Sequence, residues 1–374
     1  MRHLRTLAAL ATVASISMPL HAAAAISAQQ LNNTFQQDTL AGQWAGGDAA
    51  ITIPGPSHNT WWLFGDTITE THPDYFQWTP SSALLINNSD PGNTQPVTHF
   101  DGDTPIPSLL PSTGGTKFWP SSTAPHPRHS GRHIVSGSTV STFGPGQWDF
   151  SITGSSLFDI EFSETPTPTT RIREAVPTPQ ASTSQPIHWG SALVLDDTTL
   201  YIFGSQEGED FGKKIHLARV PHNKWTEIDD WQFFNGSTFT PDPENSTPIL
   251  PASAGMPHTF SVIPHPTSNG WLMVAKQYEV IGDDVVALAS HQLTGSWGKP
   301  VELFKAAPRG DLLRYFAVAH PKISCRGTLL VGVSQNLYGP GSARALYDDP
   351  TSYRPFFHEV PLRLLPKPPA SFRH

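Results

Sequence analysis

The stretch that decides the fold is residues 47–66, GDAAITIPGPSHNTWWLFGD. It consists of an apolar strand at 49–53, a turn rich in Pro, Gly and Ser, and a second apolar strand at 61–65. This order is typical of a β-hairpin, because turn residues between two short apolar runs bring the chain back antiparallel to itself. Asp48 stands just before the first strand and Asp66 just after the second.

The same hairpin pattern recurs along the chain. Three further copies occupy residues 190–205, 258–276 and 316–334, and a weaker unit covers 134–162. Repetition of one supersecondary unit indicates a repeat architecture, and a radial arrangement leaves only short, protected strand edges. We therefore predict an all-β fold, a five-bladed β-propeller. A two-sheet sandwich is the alternative, but it does not account for the recurrence.

Composition agrees with short strands and long loops. The chain has 37 Pro and 29 Gly, too many helix breakers for long helices, and 11 Trp near turn residues. The Pro-, Ser- and Thr-rich stretches 98–127 and 164–186 are interpreted as loops. We interpret the second stretch as an exposed connection between two blades of one domain, because the hairpin pattern continues on both sides of it.

The first residues predict export. Arg2 and Arg5 precede an apolar run at 7–20, and small residues follow up to Ala25. This is the order of a secretory signal peptide. An uncleaved membrane anchor is the alternative, although the run is shorter than the roughly 20 residues that a span needs. We predict a signal peptide at 1–25, a single domain at 26–374, no membrane span after cleavage, and a protein that is secreted or at the cell envelope.

Charge and cysteine content exclude other classes. The chain carries 31 acidic and 23 basic side chains, a net charge of −8, so we predict no nucleic-acid partner and disfavour an anionic polymer as substrate. Cys325 is the one cysteine, which excludes an intramolecular disulfide. The sequence has no strong metal-ligand spacing, phosphate loop or G-x-S-x-G motif, so we expect no metal and no cofactor. We expect a monomer.

Asp48 and Asp66 are the candidate catalytic residues. The start of the first strand and the end of the second lie at the same end of an antiparallel hairpin, and neighbouring strands are about 4.8 Å apart. A carboxylate separation of roughly 5–9 Å would suit either the retaining or the inverting geometry of a glycosidase. The alternative is that both aspartates are turn residues that bond backbone N–H groups.

The other hairpins bring further polar and aromatic side chains to the same end. The predicted substrate-binding residues, which offer hydrogen bonds or stacking surfaces to sugars, are Trp44, Trp119, Trp189, Ser191, Gln206, Glu207, Gln277, His320, Gln335 and Asn336. Neighbouring candidates are Trp78, Ser205, Lys276 and Ser334. Packing between blades is the alternative for each Trp. His188 and His258 are candidates for a cation or substrate site, with a structural role as the alternative. Glu209 is a further candidate beside Glu207, and a solvated loop is the alternative for both.

The order of several motifs resembles a known family. The motifs are Gly47-Asp48, Trp62-Leu63-Phe64-Gly65-Asp66-Thr67, Trp119-Pro120, Trp189-Gly190-Ser191-Ala192, and His320-Pro321 with residues 330–336. From about residue 44 to 361 the chain resembles the actinobacterial propeller family of endo-acting D-arabinanases, glycoside hydrolase family 183.

The resemblance implies a five-bladed propeller that cleaves α-D-arabinofuranosyl linkages in cell-wall arabinan, that is, arabinogalactan or lipoarabinomannan. It also implies that Asp48 and Asp66 are the catalytic pair. A non-catalytic, glycan-binding propeller of the cell envelope is the alternative function.

Overall fold

Short strands make up most of the protein. The computed structural model describes residues 24–37, 44–72, 75–112, 115–144, 148–180, 185–208 and 210–370. The predicted signal peptide falls almost wholly outside these ranges. The described part of the chain contains no helix that is long and apolar enough to cross a membrane.

The helices are α1 (Ala28–Phe35) and α2 (Ser342–Asp348). The first strands are β1 (Gly46–Gly47), β2 (Ile51–Pro54), β3 (Asn59–Phe64), β4 (Thr67–His72), β5 (Tyr75–Thr79), β6 (Ser82–Asn87), β7 (Asp90–Pro96), β8 (Thr98–Asp101), β9 (Thr104–Ile106), β10 (Thr116–Pro125), β11 (Arg132–Thr142), β12 (Phe150–Ser163) and β13 (Thr169–Pro177). The remaining strands are β14 (Ile187–Asp196), β15 (Thr199–Gln206), β16 (Lys214–Pro221), β17 (Gln232–Phe234), β18 (Phe239–Thr240), β19 (Ser261–Pro264), β20 (Trp271–Lys276), β21 (Asp284–Ser290), β22 (Val301–Lys305), β23 (Leu312–Ala319), β24 (Thr328–Leu337) and β25 (Phe356–Pro361). Short 3₁₀ turns lie at His222–Lys224, Ile228–Asp230, Pro243–Asn245, Ala252–Ala254, Pro350–Tyr353 and Leu362–Leu364.

Each predicted hairpin supplies two neighbouring strands of its own sheet. In strand order, sheet 1 is β2-β3-β6-β7, sheet 2 is β10-β11-β12-β13-β8-β9, sheet 3 is β14-β15-β16-β17-β18, sheet 4 is β19-β20-β21-β22, and sheet 5 is β23-β24-β25. A small additional sheet, β1-β4-β5, continues from the end of the first hairpin. The prediction of an all-β fold is confirmed.

Two details of the sequence interpretation were wrong. Residues 164–186 are not a simple connecting loop, because β13 lies within them, pairs with β12 and runs parallel to β8. Likewise 98–127 contains β8, β9 and β10. The Thr- and Pro-rich composition concealed the alternation of buried and exposed residues that marks β13 as a strand with one covered face.

Apolar side chains fill the space between successive sheets. Separate clusters of buried residues join sheet 1 to sheet 2, sheet 2 to sheet 3, sheet 3 to sheet 4, and sheet 4 to sheet 5. A fifth cluster joins sheet 5 back to sheet 1 and includes residues of α1. Both faces of each hairpin are therefore covered, which explains why residues 61–64 of β3 are all apolar instead of alternating with polar residues. Trp61 packs towards sheet 2, whereas Trp62 packs towards sheet 5.

Hydrogen bonds reinforce the contact between the last sheet and the first. The Thr52 hydroxyl lies 2.9 Å from Nδ1 of His320, and the Ala49 N–H donates to Oγ of Ser334 over 2.9 Å. The second of these bonds holds the start of the first hairpin beside the end of the fifth. Asp48 is thereby placed next to residues of sheet 5.

Candidate active site

The candidate site is a cavity of about 800 Å³ at the end of the sheets where Asp48 and Asp66 lie. Sheets 1, 2 and 5, the turns that flank sheet 4, and the segment around α2 contribute to its walls. Both predicted catalytic aspartates line it. This volume is within the range of small-ligand sites, about 300–1,000 Å³.

Local backbone geometry fixes the position of Asp48. Its carbonyl accepts hydrogen bonds from the N–H groups of Ala50 (3.0 Å) and Gly65 (3.1 Å). Ala49 and Ala50 have φ of 71° and 54°, an unfavourable region for residues with a side chain. Gly65 is required here, because a Cβ at that position would overlap Oδ1 of Asp48. Gly65, at the end of the first hairpin, thus leaves room for the carboxylate of Asp48 at the start of the same hairpin.

Asp48 has the environment of a carboxylic acid. Burial and the nearby charge of Asp66 raise its pKa from 3.8 to about 7, although hydrogen bonds from tyrosines oppose the rise. The Tyr315 hydroxyl donates to Oδ2 of Asp48 over 2.7 Å. At neutral pH a substantial fraction of Asp48 therefore carries a proton.

Asp66 has the environment of a carboxylate. Burial raises its pKa, but the Lys117 ammonium and the Trp119 indole N–H oppose that rise. Nζ of Lys117 lies 3.2 Å from Oδ2, and Nε1 of Trp119 donates to Oδ1 over 2.8 Å. Two donors thus stabilise the ionised form of Asp66, so the environments of the two acids differ in the sense that acid–base chemistry requires.

Tyr353 connects the two aspartates. Its hydroxyl donates to the backbone carbonyl of Asp66 over 2.8 Å and also contacts the carboxyl group of Asp48. A phenol has one proton to donate. The Asp66 carbonyl and the Asp48 carboxylate therefore share one donor, and its donation to Asp48 opposes the rise in the pKa of that acid.

Among the other predicted residues, Trp119 and Asn336 line the cavity, as do Trp78 and His258. Trp78 is exposed over 47% of its surface at the rim. The side chain of Asn336 hydrogen-bonds Tyr315, the partner of Asp48. The structure therefore brings the aspartate pair together with a subset of the predicted ring.

The remaining predicted side chains lie outside the cavity lining. Trp44 and Trp189 are buried in the clusters between sheets, Trp44 against Phe35 and Phe64 and Trp189 against Phe233. Both tryptophans therefore have the alternative role given in the sequence analysis, packing between blades. Ser191, Gln206 and Gln277 hydrogen-bond backbone carbonyls, and Glu207 pairs with Lys213. Gln335 pairs with Arg314 across β23 and β24, and Glu209 lies outside the described residues.

His320 lies at the opposite end of its hairpin from the site. β23 begins near the cavity, where Tyr315 reaches Asp48, and ends before His320. The buried His320 ring contacts Thr52 and Trp62. In an antiparallel hairpin, the start of the first strand, and not its end, lies beside the end of the second strand. The same hairpin argument that selected Asn336 thus favours Tyr315 over His320.

Several lining residues had no prediction attached to them, namely Lys117, Trp148, Phe150, Glu279, Tyr315 and Tyr353. Lys117 and Tyr315 belong to first strands of sheets, so strand position could have selected them. Tyr353 comes from a 3₁₀ turn outside the hairpin repeat, and no repeat pattern could have found it.

His258 is held neutral within the wall of the cavity. Its ring nitrogens lie 2.7 Å from Oγ of Ser205 and 2.9 Å from Oγ of Ser138, and burial lowers its pKa to about 3. In the described part of the chain, no group of three or more His, Cys, Asp or Glu residues is arranged to hold a metal ion.

The comparisons with known proteins place the chain in a family. Residues 29–361 match the model of the domain of unknown function DUF5005, and the chain belongs to that family. A comparison with curated protein sequences finds no match.

Among solved structures, a candidate hydrolase from Bacteroides ovatus is similar over 88% of this chain and 89% of its own, with a TM-score of 0.61 and 16% identity. An exo-β-1,3-galactanase from Phanerochaete chrysosporium aligns over 84% of this chain and 60% of its own, with a TM-score of 0.49 and 10% identity. An α-L-arabinofuranosidase from Lactobacillus brevis aligns over 87% of this chain and 95% of its own, with a TM-score of 0.48 and 12% identity. At 16% identity the similarity to the Bacteroides ovatus protein concerns the fold alone.

Proposed function

We propose that the protein is a secreted glycoside hydrolase that cleaves α-D-arabinofuranosyl linkages within cell-wall arabinan, acting as a single five-bladed propeller after removal of residues 1–25. The observation that carries hydrolysis is the pair Asp48 and Asp66 in one cavity, where the pKa of Asp48 is raised to about 7 and two donors favour the ionised form of Asp66. The five inter-sheet clusters, including the one that joins sheet 5 to sheet 1, support the propeller. The motif resemblance supports the choice of arabinan, and the fold similarity to a candidate hydrolase agrees with a hydrolytic site.

The two carboxyl groups take different roles in this reaction. Asp48 donates its proton to the glycosidic oxygen as the bond from that oxygen to the anomeric carbon breaks. Asp66 either attacks the anomeric carbon, forming an ester that water then hydrolyses, or removes a proton from the water that attacks it. In the first route Asp48 regains its proton from the water that hydrolyses the ester. In the second route Asp66 releases to solvent the proton that it took from water, and Asp48 is reprotonated from solvent, so each route consumes one water molecule. Lys117 and Trp119 favour the ionised form of Asp66, which either role requires.

The charges of the lining favour a neutral substrate. Asp48, Asp66, Asp149 and Glu279 line the cavity, with Lys117 as the one Lys or Arg among the described lining residues. Such a wall repels uronic acids and phosphorylated sugars but can accept hydrogen bonds from sugar hydroxyls. The exposed Trp78 and Trp148 at the rim, 47% and 51% exposed, offer surfaces on which sugar rings can stack.

The test is incubation of the purified mature protein with arabinogalactan, with chromatography of the released sugars. Asp48→Asn and Asp66→Asn are the variants, because each replaces a carboxyl by an amide of nearly the same shape. We expect a ladder of arabino-oligosaccharides from the wild type and a loss of at least about 100-fold in rate in each variant. Release of arabinose alone would indicate exo action instead of endo action, with Asp48 and Asp66 still as the catalytic pair.

The exposed tryptophans at the rim also suit the alternative function, a glycan-binding propeller without catalysis. That function predicts retention of arabinan in a pull-down without sugar release, and retention that survives both Asp substitutions. Such a result would overturn the hydrolase proposal.

A further inference from the structure

A third carboxyl group, that of Glu279, lines the cavity on the side formed by sheet 4. Its side chain is 28% exposed, so it is accessible to a ligand. Burial raises the pKa of Glu279, and Lys213 opposes that rise while Glu207 adds to it; neither Asp48 nor Asp66 contributes. Glu279 therefore lies apart from the aspartate pair, on a different part of the wall.

The turn that presents Glu279 is strained and specifically supported. Tyr278 and Glu279 both have positive φ, 52° and 54°. The ammonium of Lys276, which is fully buried, donates to the carbonyls of Glu279 and Gly282. The Tyr278 N–H donates to the carbonyl of Gly255 over 2.8 Å. Strain of this kind persists only where surrounding contacts enforce it, and it is concentrated at functional sites.

The carboxyl group itself is anchored through one oxygen. Oε1 of Glu279 accepts a hydrogen bond from the backbone N–H of His258 at 2.8 Å and lies 3.7 Å from Nζ of Lys213. No described residue donates a hydrogen bond to Oε2. The same lysine pairs more closely with Glu207, at 2.8 Å, and Glu207 is 60% exposed and does not line the cavity.

We infer that Glu279 is a substrate-positioning residue, whose carboxylate accepts hydrogen bonds from hydroxyl groups of a sugar bound in the cavity beside the aspartate pair. This inference rests on the proposed glycoside hydrolase function and adds to it a binding contact on the wall formed by sheet 4. A fixed carboxylate with an unused oxygen binds neutral polyols and repels anionic sugars. Glu279 thus selects for neutral, hydroxyl-rich residues at its position in the substrate chain.

The test compares Glu279→Gln with Glu207→Gln, using an α-D-arabinofuranosyl oligosaccharide of defined length. Glu279→Gln retains an oxygen that can accept from the His258 N–H but loses the charge that binds hydroxyls most strongly. Glu207→Gln removes the other carboxylate that contacts Lys213 and serves as the matched control. We expect Glu279→Gln to raise KM at least about fivefold with kcat within about threefold of wild type, and Glu207→Gln to change KM by less than about twofold. Thermal unfolding of both variants checks that the fold is intact.

Calorimetric binding separates failure of the inference from failure of the proposed function. Asp48→Asn, which is expected to bind without turnover, is compared with Asp48→Asn combined with Glu279→Gln. Weaker oligosaccharide binding in the double variant supports the role of Glu279 even if the wild type releases no sugar. The inference is overturned by equal binding in the two proteins, by an equal rise of KM in Glu207→Gln, or by a loss of kcat alone in Glu279→Gln.

Discussion

Lys117 is the residue that controls the ionisation of Asp66. Its ammonium lies 3.2 Å from Oδ2 and opposes the rise in pKa that burial causes. Replacing Lys117 by Met removes that charge, so the pKa of Asp66 should rise further. Because Asp66 acts in its ionised form, we expect the acidic limb of the kcat/KM profile to move to higher pH, with a loss of about tenfold near pH 5.

Lys117→Arg is the control, since it keeps a cation beside Asp66. Its acidic limb should stay near the wild-type position. An unshifted acidic limb in Lys117→Met would show that Lys117 does not govern the catalytic carboxylate. The measurement is kcat/KM on arabinan oligosaccharides from pH 4 to 9.

Tyr315 acts on the other limb of the same profile. Its hydroxyl donates to Oδ2 of Asp48 and thereby opposes the rise in the pKa of that acid. Asp48 must be protonated to act, so wild-type activity should fall as pH rises through about 7. Tyr315→Phe removes the donor, so the pKa of Asp48 should rise and the alkaline limb should move to higher pH. A shift to lower pH would contradict the assignment of Asp48 as the acid.

For single residues, the sequence predicts those site positions that follow directly from the geometry of a hairpin. Asp48 and Asp66 follow from strand ends that must adjoin, and the structure places both in one cavity. Trp44 and Trp189 carry the same sequence signal as Trp119, yet they pack between sheets. The difference depends on which way each ring faces across a sheet interface, a property of the assembled sheets that no local pattern encodes.

Among the elements, the segment around Arg354 joins the N-terminal helix to the C-terminal part of the chain. Arg354 is 1% exposed, and its guanidinium donates to the carbonyls of Phe35 (2.8 Å), Gln37 (2.6 Å) and Ala45 (2.6 Å). The cation also faces the ring of Trp44. Replacing Arg354 by Met leaves these carbonyls without their donor and should lower the free energy of unfolding by about 3 kcal/mol.

Arg173→Met is the matched control, because Arg173 pairs with Glu161 at the surface and is 37% exposed. Surface ion pairs contribute at most about 1 kcal/mol, so this variant should unfold close to the wild type. Urea unfolding followed by tryptophan fluorescence measures both. Equal stabilities for the two variants would mean that the N-terminal segment is held by its apolar contacts alone.

The central hairpins were predictable because each has two apolar strands and a turn of breaker residues. The strands outside these hairpins were less so. β13 buries Thr170 and Ile172 but exposes Arg173 and Glu174, and the composition around it predicted a loop between two blades. β13 is an internal strand of sheet 2, between β12 and β8, so its loop-like composition reflects its exposed residues and not an edge position.

On the scale of the whole molecule, burial keeps many histidines uncharged. It lowers the pKa of His99, His258 and His320 to about 3 and that of His133 and His216 to about 4. In the unfolded chain the same groups bind protons near pH 6.5. Between these values the unfolded state holds more protons, so stability falls as pH decreases from 6.5 towards 4.

Asp48 acts in the opposite direction, because its folded pKa of about 7 lies above the unfolded value of 3.8. Its contribution to stability is full below pH 3.8 and is lost as pH rises through 7. Asp66, Glu164 and Glu279 also have raised pKa values and act in the same direction as Asp48. These four acids are opposed by the five histidines, each of which can contribute up to about 3–5 kcal/mol at about 1.4 kcal/mol per pKa unit. Burial also lowers the pKa of His126, His188 and His358. The net expectation is a protein that loses stability in mild acid.

Urea unfolding between pH 8 and 4.5, followed by the fluorescence of the 11 tryptophans, tests this expectation. The midpoint should decrease steadily below pH 6.5, with no disulfide to sustain the fold. His99→Asn gives the sharper comparison. Among the described residues, the His99 side chain hydrogen-bonds only Thr170, and burial is the one cause that lowers its pKa. The variant should be less stable at pH 8 but should lose less stability on acidification. The slope of its unfolding free energy against pH should correspond to about one proton fewer than in the wild type. A midpoint that is constant down to pH 4.5 would mean that these histidines gain protons without opening the sheets, and that their burial does not limit the stability of the fold.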